Sequence, residues 1–242
     1  MPSLNLLYRT EYAINDKISI KIPTVGEILE NEDEYYGLVS VLTAMPIDMM
    51  CQLDDVGIDF TTVSEYELFL LMFSGIKSQD THLVFGDLDL SKFKLASRED
   101  SGDVVLVDDE NDIVIDRFVQ RQIAATLRKI HHLEKNRRKP GNEEAKEYML
   151  QRAREKQKRA KRRTTNSQLE AFIVSMVNTE QFKYDFEGTK ELSIYQFNES
   201  LRQVIKKIDY DHRMGGVYAG TVNAKELKKE DLTWLSTTNS KE

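Results

Sequence analysis

The sequence predicts a helix-rich α+β fold, and three observations carry that prediction. Four hydroxyl residues stand three positions before a Glu or Gln and just ahead of apolar residues: Thr24 with Glu27, Ser64 with Glu67, Ser167 with Glu170, and Ser193 with Gln196. The hydroxyl satisfies a free N–H of the first helical turn and the longer side chain reaches back, so each phrase marks a helix start. Apolar residues recur at spacings of three and four in Val119, Ile123, Leu127 and Ile130, and again in Ile194, Phe197, Leu201, Val204 and Ile208. That is the spacing of a single helix face. The β-type runs are few and short. Lys17 to Ile22 alternates apolar and polar, while Val104 to Val107 and Ile113 to Ile115 flank the polar stretch Asp108 to Asp112. These read as an edge strand and a hairpin.

Taken in order, Lys17 to Ile22 ends at Pro23 and is expected to pair with Leu4 to Tyr8. Thr24 caps a short helix. Tyr35 to Ala44 is an apolar helical segment, and Pro46 suits the first turn of the next helix, Ile47 to Val56, stopped by Gly57. The Ser64 cap opens a helix through Leu68 to Phe73 that Gly75 should end. Leu83 to Phe85 is expected to be a short strand before a turn at Gly86. The stripe from Val119 to Ile130 forms a helix with Arg121, Arg128 and Lys129 mostly off its apolar face. Lys139-Pro140-Gly141-Asn142 breaks it, and Asn142 caps a second helix running to Arg163. The pair reads as an antiparallel basic hairpin. After Ser167, residues Leu169, Phe172, Ile173 and Met176 should face inward. The Ser193 helix should end at Gly215-Gly216, leaving a tail from Val217 to Leu235 with the only tryptophan, Trp234.

Charge divides the same chain into three blocks. Residues 1–116 hold 24 acidic and 7 basic side chains, residues 117–163 hold 5 and 17, and residues 164–242 hold 12 and 10. We expect three units with those bounds: an acidic α/β body, a basic helical hairpin arm, and a helical C-terminal region packing on the body. Segregated charge speaks of electrostatic partners, inside or outside the molecule. The second basic helix has an apolar side only in its first half, at Ala145, Tyr148 and Met149. From Arg152 onward it should be free to project or to dock on acid. Cys51 stands alone, which excludes an internal disulfide and suggests a reducing compartment. No run of about 18 apolar residues is present, and the N-terminus lacks the cationic start and apolar stretch of a signal peptide. The expected location is the cytoplasm.

Candidate chemistry is sparse. Asp108, Asp109, Glu110 and Asp112 lack the glycine and distant glutamate of a calcium loop. Asp87 and Asp89 would share a face if extended, as magnesium ligands do. His131 and His132 are adjacent on a helix and point about 100° apart, so one metal cannot take both. Cys51 follows Met49 and Met50 in an apolar helix and reads as a buried small side chain. No phosphate loop, dinucleotide fingerprint or nucleophile elbow occurs. No catalytic, cofactor or metal residue is assigned. The candidate partner-binding residues are Arg152, Arg154, Lys156, Lys158, Arg159, Lys161, Arg162 and Arg163. The stripe Ile194, Phe197, Leu201, Val204 and Ile208 is core or an oligomer seam.

Two phrases, KIPTVGEIL from Lys21 and SIYQFNESLRQVI from Ser193, resemble proteins of the tail and virion modules of phages and prophages of low-GC Gram-positive bacteria. They are similar to tail assembly chaperones, and the resemblance covers about the first 75 residues and the region from 165 to 235. It implies a chaperone that holds the tape-measure protein before the tail tube polymerises around it. The chain departs from that family in its length and in its basic hairpin, and a virion structural protein of the same gene module fits nearly as well. The expected function is therefore a non-enzymatic phage assembly or virion protein working through contacts with phage tail or virion proteins, or with further copies of itself. A nucleic-acid-binding protein using the basic helix is the alternative. A metal-dependent nuclease using Asp87, Asp89 or the Asp108 cluster is the second.

Overall fold

The computed structural model describes residues 6–98, 102–160 and 167–235. The fold is α+β and helix-rich. Its order is β1 (Glu11–Ala13), β2 (Ser19–Lys21), α1 (Val25–Glu30), α2 (Glu32–Thr43), α3 (Met50–Asp55), α4 (Glu65–Ile76), α5 (His82–Phe85), β3 (Lys94–Ser97), β4 (Val104–Asp108), β5 (Ile113–Ile115), α6 (Arg117–Ile130), α7 (Glu143–Ala160), α8 (Gln168–Val177), α9 (Phe186–Lys190) and α10 (Ile194–Tyr218). One apolar cluster runs from Leu6 through β2, α2, α4 and α6 to α8 and α10. A smaller one gathers Ala44, Ile47, Leu53, Phe60 and Leu68 beneath Met149 and Leu150 of α7.

The expected capping boxes at Thr24, Ser64 and Ser193 are all formed, and the Ser167 hydroxyl accepts from the Glu170 N–H. Thr24 and Ser193 also meet. They form an isolated antiparallel bridge in which Val25 N–H donates to Leu192 O and Ile194 N–H to Pro23 O, both at 2.8 Å. The starts of α1 and α10 are thus joined back to back. Gly26 suits this corner, because a Cβ there would stand 3.3 Å from Lys190 Cβ and O.

Several elements differ from expectation. β2 pairs with Glu11–Ala13 rather than with Leu4 to Tyr8; of that expected partner, residues 4 and 5 lie outside the described residues. The Asn15 carboxamide accepts from the Lys17 and Ile18 N–H groups and closes a short turn, so the nearest upstream segment pairs first. Leu83 to Phe85 is a helical turn ended by Gly86 at φ +60°, with Thr81 O accepting from Phe85 N–H. Three apolar residues alone do not separate strand from helix. The regular part of the third helix begins at Met50, after a turn in which Asp48 accepts from Met45 N–H. α4 passes Gly75 to bury Ile76, and α10 passes Gly215 and Gly216 to Tyr218. Gly216 serves the returning tail, since a Cβ would lie 2.7 Å from Val222.

The hairpin at 104–115 forms as expected, with β3 added on the far side of β4. Phe172 is 47% exposed while Leu169, Ile173 and Met176 are buried. Arg128 is buried rather than off the apolar face. Ile194, Phe197 and Val204 are core, with Leu201 and Ile208 packed against them. Ile194 and Phe197 have no exposed surface, while Leu201 and Ile208 keep part of theirs.

Candidate interaction surface

The linker between α6 and α7 is held down from both sides. His132, at φ +52°, turns the chain out of α6, and Leu133 N–H returns to Arg128 O at 2.8 Å. Such a left-handed residue closes a helix end by satisfying its last carbonyls. Beneath the turn, Arg128 Nη2 donates to Glu65 Oε1 at 2.6 Å and to Thr43 O at 2.5 Å, and Lys135 meets the other Glu65 oxygen. Burial opposes the Glu65 charge, but the hydrogen bonds from Lys135 and Arg128 prevail and hold its pKa below the usual value. Asn136 Nδ2 donates to Asp48 Oδ1 at 2.8 Å. So anchored, the linker leaves Arg137, Arg138 and Lys139 exposed. None of the three has a carboxylate partner among the described residues.

Helix α7 starts at the expected Asn142 cap, whose Oδ1 accepts from Ala145 N–H at 2.8 Å. Its main packing partner is α3. Met149 and Leu150 lie on the smaller apolar cluster. Lys146 Nζ reaches Asp59 at 2.7 Å, and its hydrogen bond draws the Asp59 pKa down to about 2. Arg154 Nη2 meets Asp54 at 2.6 Å and Asp55 at 2.7 Å, which raises its own pKa. The helix therefore docks on acid through Arg154, while every residue from Glu155 to Ala160 is exposed.

Beside this seam runs a groove of about 480 Å³, lined by Met50, Tyr148, Met149 and Ala153 with Arg138, Arg152, Lys156 and Arg159. Glu155 is its one acidic lining residue. It lies 3.9 Å from Arg159 and both side chains are substantially exposed. Arg152 rests over the Tyr148 ring at 5.7 Å, as a guanidinium does on an electron-rich face. Of the candidate residues, Arg152, Lys156 and Arg159 thus converge, Arg154 is engaged with α3, and Lys158 lies on the Arg154 side with Glu147 and Asp54. Lys161, Arg162 and Arg163 lie outside the described residues. Sequence reasoning missed Arg138; the cationic triplet just before the Pro140 break was its only signal.

The other candidates are taken up locally. Asp108 accepts from Asn111 Nδ2 at 2.7 Å and from the Glu110 and Asn111 N–H groups, so it braces its own turn. Asp109, Glu110 and Asp112 face Lys94, Lys92 and Lys17. Asp89 caps a single turn at Ser91, and Asp87 lines a polar cleft between the two hairpins. No group of three or more His, Cys, Asp or Glu among the described residues is placed to hold a metal ion. His131 Nε2 and Tyr35 Oη are 2.9 Å apart. Burial first, then His132, pulls the His131 pKa down to about 4. Cys51 is buried as expected. A cavity of about 470 Å³ between α2, α6, α8 and α10 is lined by Arg128, His131 and Asn198, whose polar groups already bond to protein atoms. No described helix is long and apolar enough to cross a membrane.

Residues 156–239 match the family model described as YomV second domain. YomV is a protein of Bacillus phages and prophages, and the match points to a phage-derived protein. It takes in the end of α7 together with α8, α9 and α10, and leaves out the acidic body. No curated protein and no solved structure matches the chain.

Proposed function

We propose that this phage-derived chain is a non-enzymatic assembly or virion protein that works through protein–protein contacts, with the α7 groove as its contact surface. The observation that carries the reading is the groove itself. Four cations surround an apolar floor of two methionines, an alanine and a tyrosine, with one carboxylate among them. Protein interfaces combine an apolar centre, aromatic and Arg anchors, and a polar rim. The acidic body supplies the mounting, through Asp54, Asp55 and Asp59, and so presents the remaining cations outward.

A nucleic-acid surface would favour cations uninterrupted along the helix, because each phosphate contact depends on local positive potential. Here Glu143, Glu144, Glu147 and Glu155 are interspersed along α7, and two aspartates stand beside Arg154. An acidic protein segment with apolar side chains fits this mixture better. The finer reading, a tail assembly chaperone, rests on the KIPTVGEIL and SIYQFNESL phrases; its partner would be the tape-measure protein. The site of action is then the bacterial host cytoplasm, or the particle if the chain stays with it.

The test is capture on the tagged full chain from cells in which the phage is induced, run beside the Arg152→Glu/Lys156→Glu variant. Tail or virion proteins should be recovered by the native chain and lost from the variant. Recovery of none by the native chain overturns the reading. A labelled duplex or single strand, added at low salt, should remain unbound.

A further inference from the structure

We infer that one occupant of the α7 groove is a second copy of this chain, bound through the acidic start of its α2. The inference rests on the proposed contact role of the groove and names a partner for it. Its basis is two exposed patches of opposite charge that have no ion-pair partner on another element among the described residues. Glu30, Asp33 and Glu34 are exposed where α1 passes into α2, and none has a cationic partner among the described residues. Glu32, in their midst, is different: it turns inward to accept from the Ser167 hydroxyl and the Leu169 N–H. That contact fixes the α2 start beside α8 and leaves its three neighbours outward.

Among the described residues the two charged patches make no ion pair with each other within one chain. Helix α7 is tied to α3 by Arg154, to Asp59 just beyond α3 by Lys146, and to the smaller apolar cluster by Met149 and Leu150. Its groove is lined by α3, the linker and α7, with no residue of α2. The acidic patch is built on α1, α2 and the α8 cap. Arg138, Arg152 and Lys156 have no carboxylate within ion-pair reach among the described residues, and Arg159 has only Glu155, on its own helix. Two copies satisfy both patches at once, with the cations of one facing the acids of the next. Because the two patches are different surfaces, the contact is head to tail; it closes as a ring or continues as a chain, depending on the rotation between copies. Both patches are exposed, so ions screen the contact over about 10 Å at 0.1 M salt.

The experiment measures the molar mass of the native full chain by light scattering and sedimentation, from about 50 mM to about 500 mM salt, a range over which the screening length falls severalfold. Association should be present at low salt and weaken at least about tenfold across the range. Two variants follow: Arg152→Glu/Lys156→Glu in the groove, and Glu30→Lys/Asp33→Lys/Glu34→Lys at α2. Each alone should be monomeric with native circular dichroism, because its two patches now share a sign. Mixed in equal amounts they should associate again, since each reversed patch meets its opposite. A monomeric native chain at low salt overturns the inference. So does association that persists in either variant, fails to return in the mixture, or disappears on nuclease treatment. If the native chain is monomeric but still captures phage proteins through Arg152 and Lys156, this inference falls and the proposed function stands.

Discussion

Thr24 and Ser193 face one another across an antiparallel bridge while each caps its own helix, α1 and α10. The Thr24 hydroxyl accepts from Glu27 N–H and the Ser193 hydroxyl from Gln196 N–H, both at 3.2 Å. Each cap thus orders the backbone on which the other sits. Thr24→Ala and Ser193→Ala should each cost about 1 kcal/mol. The double variant should lose less than the sum, by about 0.5 kcal/mol, because the first loss already loosens the shared bridge. Urea denaturation of the four proteins measures this, and strict additivity would show that the two corners are independent.

The Arg128–Glu65 contact predicts an asymmetry. Removing Glu65 leaves a buried guanidinium with the Thr43 carbonyl and little else, whereas removing Arg128 leaves Glu65 with Lys135. Breaking a buried pair from one side costs about 3–5 kcal/mol. Glu65→Ala should approach that range, and Arg128→Met should cost less because its chain still fills the site. Equal losses in thermal or urea unfolding would contradict this picture of Glu65 as the hub.

What could be read from the sequence was what local chemistry decides. The caps at Thr24, Ser64 and Ser193 need only a hydroxyl and a residue three places on, and all three form boxes. Stops at Gly75 and Gly216 failed because distant atoms decided them: Ile76 had a core to enter, and Val222 returned over Gly216. β3 has few apolar residues and exists by pairing with β4. The candidate surface divided in the same way. Arg152, Lys156 and Arg159 share a side through helical spacing alone, but Arg154 was committed by Asp54, 100 residues earlier. Arg138 joined the groove only because Lys135 and Asn136 are fixed to Glu65 and Asp48.

His131 makes stability depend on pH. Its folded pKa of about 4 lies below the ordinary histidine value of 6.5, so the unfolded chain binds the proton more readily. Stability is then unaffected above about pH 6.5 and falls as pH drops towards 4, by up to about 3 kcal/mol for a shift of this size. In His131→Gln, which keeps a polar group for Tyr35 and does not titrate, the decline between pH 6.5 and 4.5 should flatten. Parallel urea-stability curves for native and variant protein over that window would contradict the assignment.

Helix α7 poses a question of which contact holds it. The Arg154 pairs with Asp54 and Asp55 are about half exposed, so solvent and salt weaken them. Met149 and Leu150 lie on an apolar cluster, and truncating such part-buried side chains costs about 1 kcal/mol each. The apolar contact should therefore dominate. Met149→Ala/Leu150→Ala should speed amide exchange along α7 and leave α2 and α6 protected, since those helices belong to the larger cluster. Asp54→Asn/Asp55→Asn should change α7 exchange little in moderate salt. The reverse ranking would make the ion pairs the anchor, and the groove would then open as salt rises.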